Sequence, residues 1–238
     1  MNKKFWKKYF KVYDILNELL PYKDLLENIS NNINYSYSKK RNVLDAGCGT
    51  GNFEYHINSL HIDNMFIYGI DYEISGLLKY REKINNANLV LADLTTSIPF
   101  QDSFFDVIIS NNVLYNIKNK LRKNVIDEFY RVLKPKGVVI ISNPKEGWRP
   151  SKIYAEHIKN VYKQEGFYTT IINVLHFLIP TIQMFYYNYI IILRNKESNL
   201  KFMANEEQLN LLRKVGFAKV SENIMVYSNQ SIMNIAIK

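Results

Sequence analysis

The run Val43-Leu44-Asp45-Ala46-Gly47-Cys48-Gly49-Thr50-Gly51-Asn52 sets a short apolar segment directly before three glycines in five residues. Such a run reads as a buried strand entering a tight turn, and the residues after it suit a helix start. The pattern then repeats. Strand signals at Val43–Ala46, Met65–Ile70, Asn88–Ala92, Phe105–Ser110 and Val138–Ser142 alternate with helix signals at about 51–60, 74–84 and 119–133. In the last helix Leu121, Val125, Phe129 and Val132 mark one face, and Pro135 and Gly137 turn the chain into the next strand. Alternation of this kind predicts an α/β fold, a parallel sheet with crossover helices.

The segments outside this rhythm divide the chain into four regions of a single domain: 1–40, 41–143, 144–204 and 205–238. The first is a helical cap. Residues 3–20 read as an amphipathic helix, with Phe5, Trp6, Tyr9, Tyr13, Leu16 and Leu20 on one side and Lys3, Lys4, Lys7, Lys8 and Lys11 on the other. Pro21 is expected to end it, and a second helix follows over about 22–33. Residues 144–204 are an insertion after the fifth strand. They contain Phe167–Leu193, 27 residues without a charge. That length alone would reach across a bilayer. Scattered polar residues (Asn173, His176, Thr181, Gln183, Asn188) and Pro180 near the centre argue against a span. So does topology, because a single span would put the halves of one sheet on opposite sides of the bilayer. A pair of helices broken near Pro180, forming a lid, is the expected arrangement. A helix at about 205–215 and β-like runs at about 217–227 and 231–237 complete the core.

The chain has one cysteine, which excludes a disulfide framework and a cysteine-based zinc site and fits a reducing cytoplasm. The net charge of +9 suits acidic partners, although the lysines are spread out and no separate RNA-binding module is visible, which argues against nucleic acid. The basic N-terminal helix is a candidate for contact with an anionic membrane surface. No cluster of metal-ligating residues can be assembled.

Ligands of open α/β sheets bind outside the carboxyl ends of the strands. The glycine loop lies there. It reads G-x-G-x-G, and it lacks the lysine and hydroxyl residue of a P-loop. Three carboxyl-end motifs accompany it. Tyr68-Gly69-Ile70-Asp71 ends the second strand with a carboxylate suited to ribose hydroxyls. Leu91-Ala92-Asp93-Leu94 supplies a second carboxylate, placed to accept from an adenine amino group. Phe105-Asp106-Val107-Ile108-Ile109-Ser110-Asn111-Asn112 closes the fourth strand in small polar residues, and Asp106, early in that strand, reads as structural.

This ordered set, with Arg131-Val132-Leu133-Lys134-Pro135-Lys136-Gly137 after it, resembles the class I S-adenosylmethionine-dependent methyltransferases, and within them the type 11-like group acting on small molecules. The resemblance implies a Rossmann-like, seven-stranded, mostly parallel sheet of order 3-2-1-4-5-7-6, with helices on both faces and an antiparallel seventh strand. It implies that Asp45, Gly47 and the loop through Cys48, Gly49, Gly51 and Asn52 hold the methionine part of S-adenosylmethionine. Asp71 would bind the ribose with Tyr72 beside it, Asp93 and Leu94 would frame the adenine, and Asn111 would line the pocket near the sulfonium. Tyr9 or Tyr13 of the basic helix would face the same site. Cys48 reads as a packing residue.

No D/N-P-P-Y/F motif follows the fourth strand, and the only thiol sits in the glycine loop, so neither nucleic-acid amino methylation nor cysteine-based pyrimidine methylation fits. In-line transfer to an O, N or C nucleophile of a small, partly apolar or aromatic molecule remains, leaving S-adenosylhomocysteine. Tyr115, His157 and His176 are the candidate bases. Phe177, Met184, Phe185 and the tyrosines around them would give the insertion an aromatic lining. An RNA, lipid or quinone methyltransferase, a noncatalytic partner subunit and a homodimer contact through the insertion remain open alternatives.

Overall fold

The computed structural model describes residues 3–33, 40–197 and 202–238. Four parallel strands form the centre: β1 (Arg41–Ala46), β2 (Met65–Asp71), β3 (Asn88–Leu91) and β4 (Phe105–Asn111). β5 (Leu133–Pro144) continues the parallel order, and β8 (Ser231–Ile237) runs antiparallel to it, from Val138 opposite Ile237 to Pro144 opposite Ser231. The sheet order is β3-β2-β1-β4-β5-β8 and then β6 (Lys219–Val220), as the resemblance implied, with one elaboration. The single run expected over 217–227 is two short strands, β6 (Lys219–Val220) and β7 (Ile224–Val226), which both pair with β8. Ser221-Glu222-Asn223 divides them, and Asn234 Nδ2 donates to Ser221 O and to Asn223 Oδ1 across the gap.

Alternate residues of each central strand feed opposite faces. Leu44, Ile108, Val139 and Ile141 pack toward α5 (Asn119–Val132) and α7 (Glu207–Val215), through Val125, Phe129 and Leu212. Val43, Val107, Ile109 and Ile140 pack on the other side with Leu25 and Ile29 of α2 (Leu20–Asn31) and with Phe53 and Ile57 of α3 (Asn52–Ser59). α4 (Ile74–Lys83) completes the crossover between β2 and β3.

Two helix boundaries differ from the sequence expectation. α1 covers Lys3–Tyr13 and passes through a 3-10 turn, Asp14–Glu18, into α2, so Pro21 stands in the first turn of a helix rather than after the end of one. Proline is well tolerated there because the first-turn N–H groups have no intrahelical acceptor. The insertion is α6 (Pro150–Glu197), and its break lies at Gly166, with φ 82° and ψ −174°, a backbone region open essentially to glycine alone. Pro180 lies inside the second helical stretch, 167–197.

Candidate active site

The glycine loop leaves β1 and enters α3. Gly47 and Gly51 both have φ near +78°, at 79° and 77°. A β-carbon on Gly47 would stand 2.3 Å from Val113 Cγ2, and one on Gly51 would stand 2.3 Å from the Tyr80 ring. Both positions therefore need glycine for conformation and for space. Gly49, with φ 54°, shares the conformational need but not the steric one, because only the Phe10 ring, at 3.5 Å, comes near the corresponding point.

Asp71, at the end of β2, braces this loop. Its Oδ2 accepts from Gly49 N–H at 2.9 Å and its Oδ1 from Glu73 N–H at 2.9 Å. Burial pushes its carboxyl up to about 6 even though both N–H groups favour the anion. Asp45 is pushed further, to about 8, by burial and then by the Glu54 and Asp71 charges. The Cys48 thiol also rises, through burial and the charges of Asp45 and Asp71, and so stays protonated.

One cavity of about 410 Å³ runs from this loop to α6, within the usual range for small-molecule sites. Its walls contain Asp45, Gly47, Cys48, Gly49, Asn52, Asp71, Tyr72, Asp93, Leu94, Asn111, Tyr13 and Tyr115, so the structure brings together nearly all of the residues singled out from the sequence. Gly51 stands behind the wall as the N-cap of α3. Asp93 Oδ1 also accepts from Thr95 N–H and Thr95 Oγ1, each at 2.8 Å, which fixes the turn after β3. Asn52 Oδ1 accepts from Asn17 Nδ2 and Lys83 Nζ, each at 2.8 Å, while Asp14 takes Thr50 Oγ1 at 2.5 Å and Lys83 Nζ at 3.0 Å. These bonds strap the 3-10 turn after α1 to the glycine loop. Asp106 is bound away from the cavity, to Asn42 N–H and Lys134 Nζ.

The histidines are elsewhere. His157 is buried between helices, where its Nδ1 accepts from Leu20 N–H at 3.2 Å and its Nε2 lies 2.9 Å from Asn173 Oδ1. That pairing fixes the neutral Nε2–H tautomer, and burial lowers its pKa. His176 is exposed and lies 3.1 Å from Glu18 Oε2. Neither lines the cavity. Tyr115 does line it, and burial raises its phenol, which keeps the proton on the oxygen.

Tyr9, Phe177, Met184 and Phe185 also line the cavity, whereas Tyr168, Tyr186 and Tyr189 of the insertion are exposed. Tyr22, Trp148, Tyr154 and Tyr227, which no motif revealed, are further lining residues. Burial holds the phenols of Tyr9, Tyr13 and Tyr227 above their usual range and pushes that of Tyr22 to about 12. Asn111 Oδ1, Asn112 Oδ1 and Trp148 Nε1 are buried and have no hydrogen-bond partner among the described residues. Buried polar groups are normally paired, so these atoms fit a site meant for a ligand. Asn112 holds the left-handed conformation, φ 60°, with its N–H on Ser142 O at 2.7 Å. Glu73, two residues beyond Asp71, is also on the wall and is only 3% exposed. The acidic pair Asp71 and Glu73 could have been read from Gly69-Ile70-Asp71-Tyr72-Glu73.

Comparison with known proteins agrees with this geometry. A family model described as a methyltransferase domain matches residues 37–215. The chain is 26% identical over 220 residues to the carboxy-S-adenosyl-L-methionine synthase of Campylobacter jejuni, covering 91% of this chain and 86% of that protein. It is 30% identical over 156 residues to the demethylmenaquinone methyltransferase of Leptospira interrogans, 61% of each. The fold matches the crystal structure of a putative S-adenosyl-L-methionine-dependent methyltransferase from Methanococcus maripaludis, with TM-score 0.63 and 19% identity, over 100% of this chain and 93% of that one. The four carboxyl-end motifs, the sheet order and the matched family place this chain among the class I S-adenosylmethionine-dependent methyltransferases.

Proposed function

We propose that the protein methylates a small, partly aromatic molecule bound between the glycine loop and α6. The observation that carries this reading is the one cavity that the acidic, glycine-rich strand ends share with aromatic and phenolic side chains of α1, α2 and α6. S-adenosylmethionine supplies an electrophilic methyl group on a sulfonium, so the protein's task is chiefly to align two reactants. Alignment can account for about 7–11 kcal/mol of a barrier. Asp45 and the loop N–H groups hold the ammonium and carboxylate of the methionine part. Asp71, with Glu73 beside it, takes the ribose hydroxyls. Asp93 and Leu94 border the adenine. Asn111 and Asn112 supply carbonyl oxygens near the sulfonium.

The phenols of the cavity wall are donors. Tyr115 keeps its proton, and both candidate histidines lie off the cavity wall, so no protein base is assigned and the acceptor brings its own formed nucleophile. Tyr115→Phe is therefore expected to raise the acceptor KM roughly 10-fold, the value of one hydrogen bond, with kcat changed only a few-fold. A fall in kcat of about 10²–10⁴ would instead mark Tyr115 as a general base.

Asp71→Ala removes the brace on Gly49 N–H together with the ribose acceptor. Hydrogen bonds to a charged group contribute about 1.5–3 kcal/mol each, so S-adenosylmethionine affinity should fall roughly 100-fold or more. Calorimetry showing unchanged affinity would remove Asp71 from the site.

Similarity to carboxy-S-adenosyl-L-methionine synthases over most of the chain supports a second reading, in which S-adenosylmethionine is itself modified. The charges on the cavity wall favour the first. Among its described lining residues, Asp45, Asp71, Glu73 and Asp93 are acidic, and the one Lys or Arg is Lys118, which is exposed. A carboxylated sulfonium would find no buried cation there. Mass spectrometry separates the two readings. The enzyme should form S-adenosylhomocysteine with aromatic acceptors that carry a lone-pair nitrogen or an already ionised oxygen, and accumulation of carboxy-S-adenosylmethionine would establish the second reading.

A further inference from the structure

The second stretch of α6, 167–197, is apolar on two opposite sides. Phe177, Met184 and Ile191 are buried against the body of the protein. On the outer side Tyr168, Ile172, Leu175, Ile179, Ile182, Tyr186, Tyr189 and Leu193 are all exposed, between 42% and 84%. These eight positions recur at alternating intervals of four and three residues, the spacing of a coiled-coil seam. No charged residue lies anywhere between Phe167 and Leu193. A helix apolar all round is normally covered all round, and nothing among the described residues covers this side.

We propose that this outer face is a helix-pairing seam for a second copy of the chain. The exposed seam presents on the order of 1,000 Å² per copy, against about 800 Å² per partner in a standard stable interface. In an isologous dimer, each seam meets the same seam. Charge favours this choice, since the protein carries +9 and the seam is its longest uncharged stretch, so two copies meet where repulsion is least.

A bilayer fits less well. Pro150–Ile191 is long and apolar enough to cross a membrane by length and composition. However, β5 before it and β8 after it pair directly, and the chain breaks at Gly166, so one crossing would tear the sheet apart. An interfacial helix, for its part, carries a polar, basic face opposite its apolar one. Here the opposite face is Phe177, Met184 and Ile191.

The inner side of the same helix supplies Phe177, Thr181, Met184 and Asn188 to the cavity wall. Pairing of two copies therefore clamps that wall in place. Sedimentation of the full chain at micromolar concentration should give twice the 28.1 kDa chain mass. Ile172→Glu with Ile179→Glu puts charges into the seam at two positions exposed by 67% in a single copy. It should weaken dimerisation roughly 100-fold or more while leaving the circular dichroism spectrum and S-adenosylmethionine binding unchanged. Wild-type hydrogen exchange offers a check that needs no variant, because protection of amides in 167–193 should rise with protein concentration. A wild-type monomer, or a dimer indifferent to both substitutions, overturns the proposal. So does a monomer that binds vesicles of mixed neutral and anionic lipid, which would assign the face to a bilayer.

Discussion

Asp45→Asn should make the ligand-free protein more stable at pH 8 and nearly abolish its affinity for S-adenosylmethionine. The side chain is 4% exposed, at the end of the central strand, with the Glu54 and Asp71 carboxylates as its charged neighbours. Its carboxyl is pushed up to about 8, whereas an unfolded chain leaves it near 3.9. The folded state thus binds the proton more tightly than the unfolded state does. The stability this contributes is complete below about pH 4 and is lost as pH rises through about 8. Over that interval the loss is on the order of 5 kcal/mol, at 1.36 kcal/mol per pKa unit. The amide of the variant has no charge to bury. Its melting temperature should therefore exceed that of the wild type by a margin that widens from pH 4 to 8 and then levels. A ligand ammonium reverses this balance, because a buried carboxylate is stabilised by a cation placed against it. Wild-type binding should release protons below pH 8, visible as a dependence of the calorimetric enthalpy on the buffer. Losing one partner of a buried charge pair costs about 2–5 kcal/mol, so the variant's affinity should fall roughly 100-fold or more. A margin that does not change with pH would mean that Asp45 is ionised, at no penalty, throughout.

Asp45 was legible in the sequence because its position follows from local rules. It ends an apolar run and precedes glycines, which puts it at the carboxyl edge of a strand. Asp71, Asp93 and Asn111 were legible in the same way, each at the end of its own strand, and a parallel sheet gathers all such ends on one edge. What the sequence concealed depends on partners far apart in the chain. His157 has the composition of a candidate base, yet Leu20 N–H and Asn173 Oδ1 hold it as a strut between helices. Its partner at Leu20 is 137 residues away. The phenols of the cavity wall include Tyr22, Tyr154 and Tyr227 from three separate segments, none with a motif. The break in α6 had a local signal at Gly166, outweighed by the more conspicuous Pro180. A proline only removes one hydrogen bond and bends a helix. A glycine with φ 82° and ψ −174° ends the helical path outright.

Arg122 is the largest side chain buried without any exposure, and it had no signal at all in the sequence. On α5 it reads as one more basic residue of a charged helix. In the fold its Nη1 meets Glu207 Oε1 of α7 at 2.5 Å, and its Nε donates to Leu114 O at 3.0 Å and Ile117 O at 3.1 Å. It thus ties α5 to α7 and holds the turn that follows β4, the segment that carries Asn111, Asn112, Tyr115 and Asn116 along the cavity wall. Arg122→Ala removes the counter-charge of Glu207 and one hydrogen bond from each of two carbonyls, of which Leu114 O keeps Ile117 N–H at 3.0 Å, and leaves the volume of a long side chain empty. Breaking a buried pair costs about 3–5 kcal/mol, a large share of the roughly 5–15 kcal/mol that holds a typical domain together. Urea unfolding should show that loss as a lower midpoint with an unchanged slope. Arg122→Lys should recover little, because a single ammonium cannot reach the carboxylate and both carbonyls in the geometry of a planar guanidinium. Glu207→Gln should also cost a few kcal/mol, on the order of the pair itself, because it leaves the fully buried guanidinium without its counter-charge although the amide oxygen still accepts from it. If all three variants unfolded at the same urea concentration as wild type, the contact would be dispensable, and the turn after β4 would be held by its other bonds, among them Asn112 N–H on Ser142 O at 2.7 Å and Tyr115 N–H on Asn143 Oδ1 at 3.3 Å.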